Sequence, residues 1–162
     1  MAAFNIKEYV DVTMDRVTVS GSEIAFRLRG PVTGAQVTVK NAVVYDVGTA
    51  FRYEDNIQNV RIWNSTVGRK VTRAFQGASA AGATLDVRNL LSIPALTPEA
   101  RASSNQRATA AAFVNAAADD YHLAPGAPAV DAGEGLSAVT LDRDGVERPQ
   151  GNAHDVGAYE AK

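Results

Sequence analysis

The chain has 162 residues, 46% of them hydrophobic, a formal net charge of −2 and no cysteine. That suffices for one sizeable core without a second domain, gives no general attraction to nucleic acid or anionic lipid, and excludes disulfides, thiolate catalysis and cysteine-held metals. No apolar run approaches the roughly 20 residues of a membrane-spanning helix.

The first residues, Met1 to Tyr9, contain no basic segment followed by an apolar run. As written, the chain is therefore expected inside the cell; as a fragment of a longer secreted protein it would lie outside.

From Tyr9 to Ser92, apolar and polar residues alternate in short runs rich in Val, Ile, Thr and aromatics, the period of strands with one buried face. Val12-Thr-Met-Asp-Arg16 recurs as Val37-Thr-Val-Lys-Asn41, Val60-Arg-Ile-Trp-Asn64 and Leu85-Asp-Val-Arg-Asn89, at steps of 25, 23 and 25 residues. A second run, Ala25-Phe-Arg-Leu28, recurs as Ala50-Phe-Arg-Tyr53 and Ala74-Phe-Gln76 at steps of 25 and 24. A period in this range marks a solenoid unit, and it leaves no room for helical crossovers. The predicted fold is all-β: a short right-handed parallel β-helix of about three to four coils over residues 12–92, with equivalent strands about 4.8 Å apart.

In this reading Val37 and Val39 face inward, and Phe26, Phe51 and Phe75 stack on one another inside. Asn41, Asn64 and Asn89 form an internal ladder at a tight bend. Arg16 interrupts that ladder, which marks the first coil as irregular or terminal. Gly21, Gly48 and Gly68 are placed at turns that call for positive φ.

Residues 93–112 lose the strand pattern. Thr97-Pro98-Glu99 predicts a helix start, and the segment reads as a surface loop or short helix, with Ala108 to Ala112 a helical turn.

Residues 113–162 read as a capping tail: Phe113-Val-Asn115, Asp120-Tyr-His-Leu123, Pro125-Gly-Ala-Pro-Ala-Val-Asp-Ala-Gly133, Leu141-Asp-Arg-Asp-Gly145, Glu147-Arg-Pro149 and Asp155-Val-Gly-Ala-Tyr-Glu160. In this order they resemble the C-terminal segment of the right-handed parallel β-helix proteins of the pectate-lyase-like superfamily. There the corresponding runs are Phe-Val-Asp, Asp-Tyr-His-Leu, Gly-Ser-Pro-Ala-Ile-Asp-Ala-Gly, Asp-Gly-x-x-Arg-Pro and Asp-Ile-Gly-Ala-Tyr-Glu. Ala127 stands where the family usually has serine, and Asn115 where aspartate is common. The resemblance implies the fold, with residues 1–162 as one domain. It implies little about activity, because the catalytic coils of such enzymes precede this tail.

The tail reads as an end cap in which Asp131, Asp142 and Asp155 accept backbone amides at turns. Asp142-x-Asp144-Gly145 begins like a calcium loop, but no glutamate follows at that motif's spacing. His122 and His154 lack the paired spacing of a metal site. No cofactor is expected, with calcium the weaker alternative.

The outward residues of the first strand form two columns: Thr13, Thr38, Arg61, Asp86 and Asp15, Lys40, Trp63, Arg88. An exposed Trp63 flanked by Lys40 and Arg88, with Arg61 alongside, suits an acidic polysaccharide, the indole packing on a pyranose face and the cations meeting a uronate carboxylate. The competing reading is a solvated sheet face with an Arg61–Asp86 pair. Asp15 and Asp86 lie three coils apart, on the order of 14 Å, outside the roughly 5–9.5 Å of glycosidase pairs. The expectation is a non-catalytic binding or structural module; the alternative is a polysaccharide lyase-like enzyme with Lys40 or Arg61 as base, or the C-terminal remnant of one. Arg27 and Arg52 form a second outward column that needs Glu54 or an anion between its like charges. The first coil, residues 4–28, leaves a strand edge open, so a homo-oligomer closed through it is expected.

Overall fold

The computed structural model describes residues 1–7, 9–30 and 36–161. They form an all-β parallel solenoid of about three turns. The chain lays down strands in groups of three: β1 (Ala2–Ile6), β2 (Asp11–Asp15) and β3 (Thr18–Val19), then β4 (Ser22–Arg29), β5 (Gln36–Lys40) and β6 (Val43–Val44). The next groups are β7 (Val47–Glu54), β8 (Val60–Trp63) and β9 (Thr66–Val67), then β10 (Val71–Ala78), β11 (Leu85–Arg88) and β12 (Leu91–Ser92). β13 (Gln106–Arg107) adds a last strand to the third sheet. The first sheet runs β1-β4-β7-β10, the second β2-β5-β8-β11 and the third β3-β6-β9-β12-β13. The repeat thus holds a third strand, only two residues long, beyond the two that its sequence shows.

Alternation puts Val37, Val39, Val60 and Ile62 wholly in the interior. Equal register turns each repeat position into a column. Phe26, Phe51 and Phe75 stack as expected, Phe4 joins them, and successive ring centroids are 5.2, 5.4 and 5.3 Å apart.

Arg16, Asn41, Asn64 and Asn89 all take positive φ at one bend, at 58, 52, 41 and 53°. Asparagine tolerates this conformation better than most side chains. The Arg16 amide bonds the next coil, to the Lys40 carbonyl, as the Asn41 amide bonds Trp63. At this bend the first coil therefore follows the backbone of the others. The ladder is shorter than expected. Asn89 Nδ2 donates to Asn64 Oδ1 at 3.2 Å, whereas Asn41 Nδ2 turns to Asp15 and to the Leu141 carbonyl.

Of the three glycines assigned to positive φ, Gly21 alone has it; Asp46 and Lys70 occupy that conformation in the following coils. Gly48 and Gly68 are glycines for space. A Cβ on Gly48 would sit 2.7 Å from the Glu23 carbonyl, and one on Gly68 would enter the Tyr121 ring.

Residues 93–107 close the end of the solenoid beyond β11 and β12; a surface loop or short helix was expected over 93–112. Leu96 and Ala100 pack on the main core. Asn105 Oδ1 accepts from the Leu90 amide at 2.8 Å, and its Nδ2 donates to the Val87 carbonyl at 2.8 Å, so one side chain satisfies the last coil's backbone. The helical turns of residues 93–112 are 3₁₀, Pro98–Ala100 and Ala110–Ala112.

The tail covers a side of the solenoid, where an end cap was expected. After the hairpin β14 (Phe113–Asn115) and β15 (Asp120–Leu123), it crosses all four coils at the asparagine bend. Arg143 bonds the Arg16 carbonyl, Leu141 accepts from Asn41, Asp155 from Asn64, and Gly157 donates to Asn89. Beneath it Tyr121, Phe113, Leu123, Val156 and Ala158 bury the outer face of the third sheet at Val43 and Leu91, forming a second core. A two-residue strand offers too little apolar area to hold a face alone, and the tail supplies the missing layer.

The motif residues of the tail form one buried polar network. Asp142 accepts the amides of Asp144, Val146 and Glu160, and Asp155 those of Asp131 and Ala161. Asp131 accepts the Ala153 amide, and Arg148 pairs with Glu160. The three aspartates thus act as expected.

Candidate functional site

Backbone register builds the two outward columns of the second sheet: Thr13, Thr38, Arg61 and Asp86 fall in line, as do Asp15, Lys40, Trp63 and Arg88. All four candidate residues, Lys40, Arg61, Trp63 and Arg88, therefore share one face.

Their environment differs from expectation. Trp63 is half-buried, not exposed. Its Nε1 donates to Asp86 Oδ2 at 3.2 Å, and the Arg61 guanidinium lies over its ring, 5.8 Å from the centroid. Asp86 is shared with Arg88, whose Nε donates to Oδ1 at 2.7 Å, while Arg88 Nη1 reaches Glu134 at 2.8 Å. The Arg61–Asp86 pair does not form; Asp86 instead holds the indole and Arg88 in place. Asp86, then Glu134, keep the Arg88 guanidinium more firmly protonated than usual.

Lys40 Nζ donates to the Ala138 carbonyl at 3.0 Å and lies 3.6 Å from Asp15. The amine is thus engaged by a carbonyl and a carboxylate at once. Lys40 and Arg88 thus anchor the tail loop 134–138 along the edge of the face. Glu134 and Ala138 escaped the sequence reading, since no local spacing links them to Arg88 and Lys40, 46 and 98 positions earlier. Arg61 forms no ion pair among the described residues and remains the open cation beside the ring.

On the first sheet Glu54 does lie between the arginines. Arg27 donates to both its oxygens at 3.0 and 3.2 Å, and Arg52 Nε and Arg29 Nε lie 2.6 and 3.6 Å from it. Burial works against ionisation of Glu54, but hydrogen bonding and charge from Arg27 and Arg52 outweigh it and hold its pKa below the ordinary value.

The remaining titratable cluster is on the tail. His122 Nδ1 lies 2.6 Å from Asp120 and Nε2 2.8 Å from Asp144, with the ring 4.1 Å from that of Tyr159. Asp142 accepts three backbone amides, and Asp144 faces His122. Among the described residues no three acidic or histidine side chains converge as a metal site requires.

Comparisons of the chain with models of protein families, with curated proteins and with solved structures gave no match.

Proposed function

We propose that the protein is a non-catalytic binding module of the pectate-lyase-like β-helix class, holding polysaccharide on the outer face of its second sheet. The observation that carries this reading is the Arg61–Trp63 arrangement: an indole fixed by Asp86, its ring half open, with a guanidinium free to meet a uronate carboxylate. The ring face suits the C–H side of a pyranose, and the cation adds selectivity for acidic sugars. Lys40 and Arg88 frame the site, and the motif resemblance of the tail supports the class.

The test is titration with oligogalacturonate, oligoalginate and a neutral oligosaccharide by calorimetry. Trp63→Ala is expected to weaken binding of acidic oligosaccharides at least about tenfold, the loss typical of an aromatic anchor. Arg61→Gln should weaken only the acidic ones. Binding unchanged in Trp63→Ala would sink the reading. A polysaccharide lyase-like activity, the alternative, would replace it if unsaturated product accumulated and Lys40→Ala or Arg61→Gln abolished it.

A further inference from the structure

The two ends of the solenoid are closed differently. Residues 93–107 cover one with their own side chains, Asn105 satisfying the last coil's backbone. At the other end β1, β2 and β3 are the outermost strands of all three sheets. Phe4 ends the aromatic column there with one ring face on Phe26. Phe4, Ile6 and Val12 are partly buried hydrophobics packed on the core beneath.

The edge of β1 has a definite polarity. The Ile24 amide donates to the Met1 carbonyl. In a parallel ladder this turns the backbone groups of Ala3 and Asn5 toward β4 and those of Ala2, Phe4 and Ile6 outward. Side chains alternate in step: Ala2, Phe4 and Ile6 are half-buried, Ala3 and Asn5 exposed. β1 carries no charge, proline or bulge, the usual devices that keep an edge from pairing.

We propose that β1 pairs with β1 of a second copy, antiparallel, about a two-fold axis passing through Phe4. This register sets Ala2 opposite Ile6, Phe4 opposite Phe4 and Ile6 opposite Ala2. Every outward N–H and C=O then meets its counterpart in the hydrogen-bonded pairs of an antiparallel ladder. The phenylalanine column continues from one copy into the other. A two-fold axis through β2 would instead place Asp11 against Asp15 of the second copy, like charges directly opposed. The uncharged β1 is the edge that suits self-pairing, and a two-fold contact closes at two copies. This inference does not depend on the carbohydrate reading.

Sedimentation and light scattering of the full chain across a concentration series test it. A dimer is expected. Ala2→Pro removes an outward N–H that β4 does not use, a place where proline is tolerated in an edge strand. It should raise the dimer dissociation constant at least about tenfold, with the monomer's circular dichroism unchanged. Register is tested on the exposed face, where Ala3 lies opposite Asn5 of the second copy. Ala3→Asp with Asn5→Asp should dissociate the dimer, and Ala3→Asp with Asn5→Lys should restore it. A monomer at every concentration, an open-ended polymer, or a dimer indifferent to these changes would overturn the proposal.

Discussion

Arg148 and Glu160 form an ion pair in which neither side chain has any contact with solvent. Arg148 also donates to the Gly157 carbonyl at 2.9 Å, and Glu160 accepts the Asp155 and Gln150 amides at 2.8 and 3.1 Å. The pair ties the Glu147-Arg-Pro149 segment to the chain end and sets both on Asn41, which lies 3.5 Å from Arg148 Nη2. The residues that give the tail its family resemblance are thus occupied in holding it together, which is why so specific a motif says so little about activity.

Removing one partner of such a pair leaves the other charge buried and unmatched. Glu160→Ala is expected to cost about 3–5 kcal/mol, and Arg148→Met with Glu160→Leu less than Glu160→Ala alone. Urea unfolding followed by Tyr and Trp fluorescence measures both. A Glu160→Ala protein as stable as the parent would show that the pair is not what holds the tail.

The phenylalanine column predicts a gradient. Phe51 is fully buried between Phe26 and Phe75, whereas Phe4 is partly open. Phe51→Ala should cost about 3–5 kcal/mol through lost burial and the cavity it leaves. Phe4→Ala should cost clearly less in the monomer. Denaturant midpoints at a concentration where the chain is monomeric give the comparison, and equal losses would contradict the gradient.

What could be read in advance follows from range. Val37, Val39 and Asn41 repeat at fixed steps, so period alone gave their columns, the inward phenylalanines and the shared face of Lys40, Arg61, Trp63 and Arg88. The third sheet was invisible because two residues cannot show an alternation. Gly48 and Gly68 were misassigned because their reason is the proximity of the Glu23 carbonyl and Tyr121, distant in sequence. The tail's course was hidden likewise: Lys40 with Ala138 and Arg88 with Glu134 are contacts that no local pattern encodes. They changed the candidate face from an open row of cations into one where Arg61 alone stays free.

His122 joins the hairpin to the Asp142–Gly145 turn through two carboxylates. Both ring nitrogens can donate only when the imidazole is protonated. Burial opposes that, but hydrogen bonds to Asp144 and Asp120 outweigh it and raise the pKa above its ordinary value. The contribution to stability is therefore complete below the unfolded pKa of about 6.5 and disappears as pH rises through the higher folded value. His154 acts in the opposite sense, since burial and then Arg148 lower its pKa. The test is the difference between parent and His122→Gln. The parent's advantage in melting temperature should be largest below about pH 6.5 and shrink as pH rises through the raised folded value; a constant difference would remove the clasp from the account.

Glu54 is the counterpart on the first sheet, 4% exposed among the guanidinium groups of Arg27, Arg29 and Arg52. Its pKa is held down, so the stability it confers is present above the unfolded value of about 4.3 and is lost as pH falls through the lower folded one. Glu54→Gln keeps the shape and removes the charge, leaving Arg27 and Arg52 adjacent in register with no carboxylate between them. The arginine side chains are about a third exposed, so water screens part of the repulsion. The expected loss is about 1–3 kcal/mol. Salt should recover part of it by screening, and the variant should show a shallower loss of stability in acid than the parent. Unfolding of both proteins at low and high ionic strength, at neutral pH and in acid, separates these effects. If Glu54→Gln matched the parent at low salt, the arginine column would need no carboxylate to stay in register.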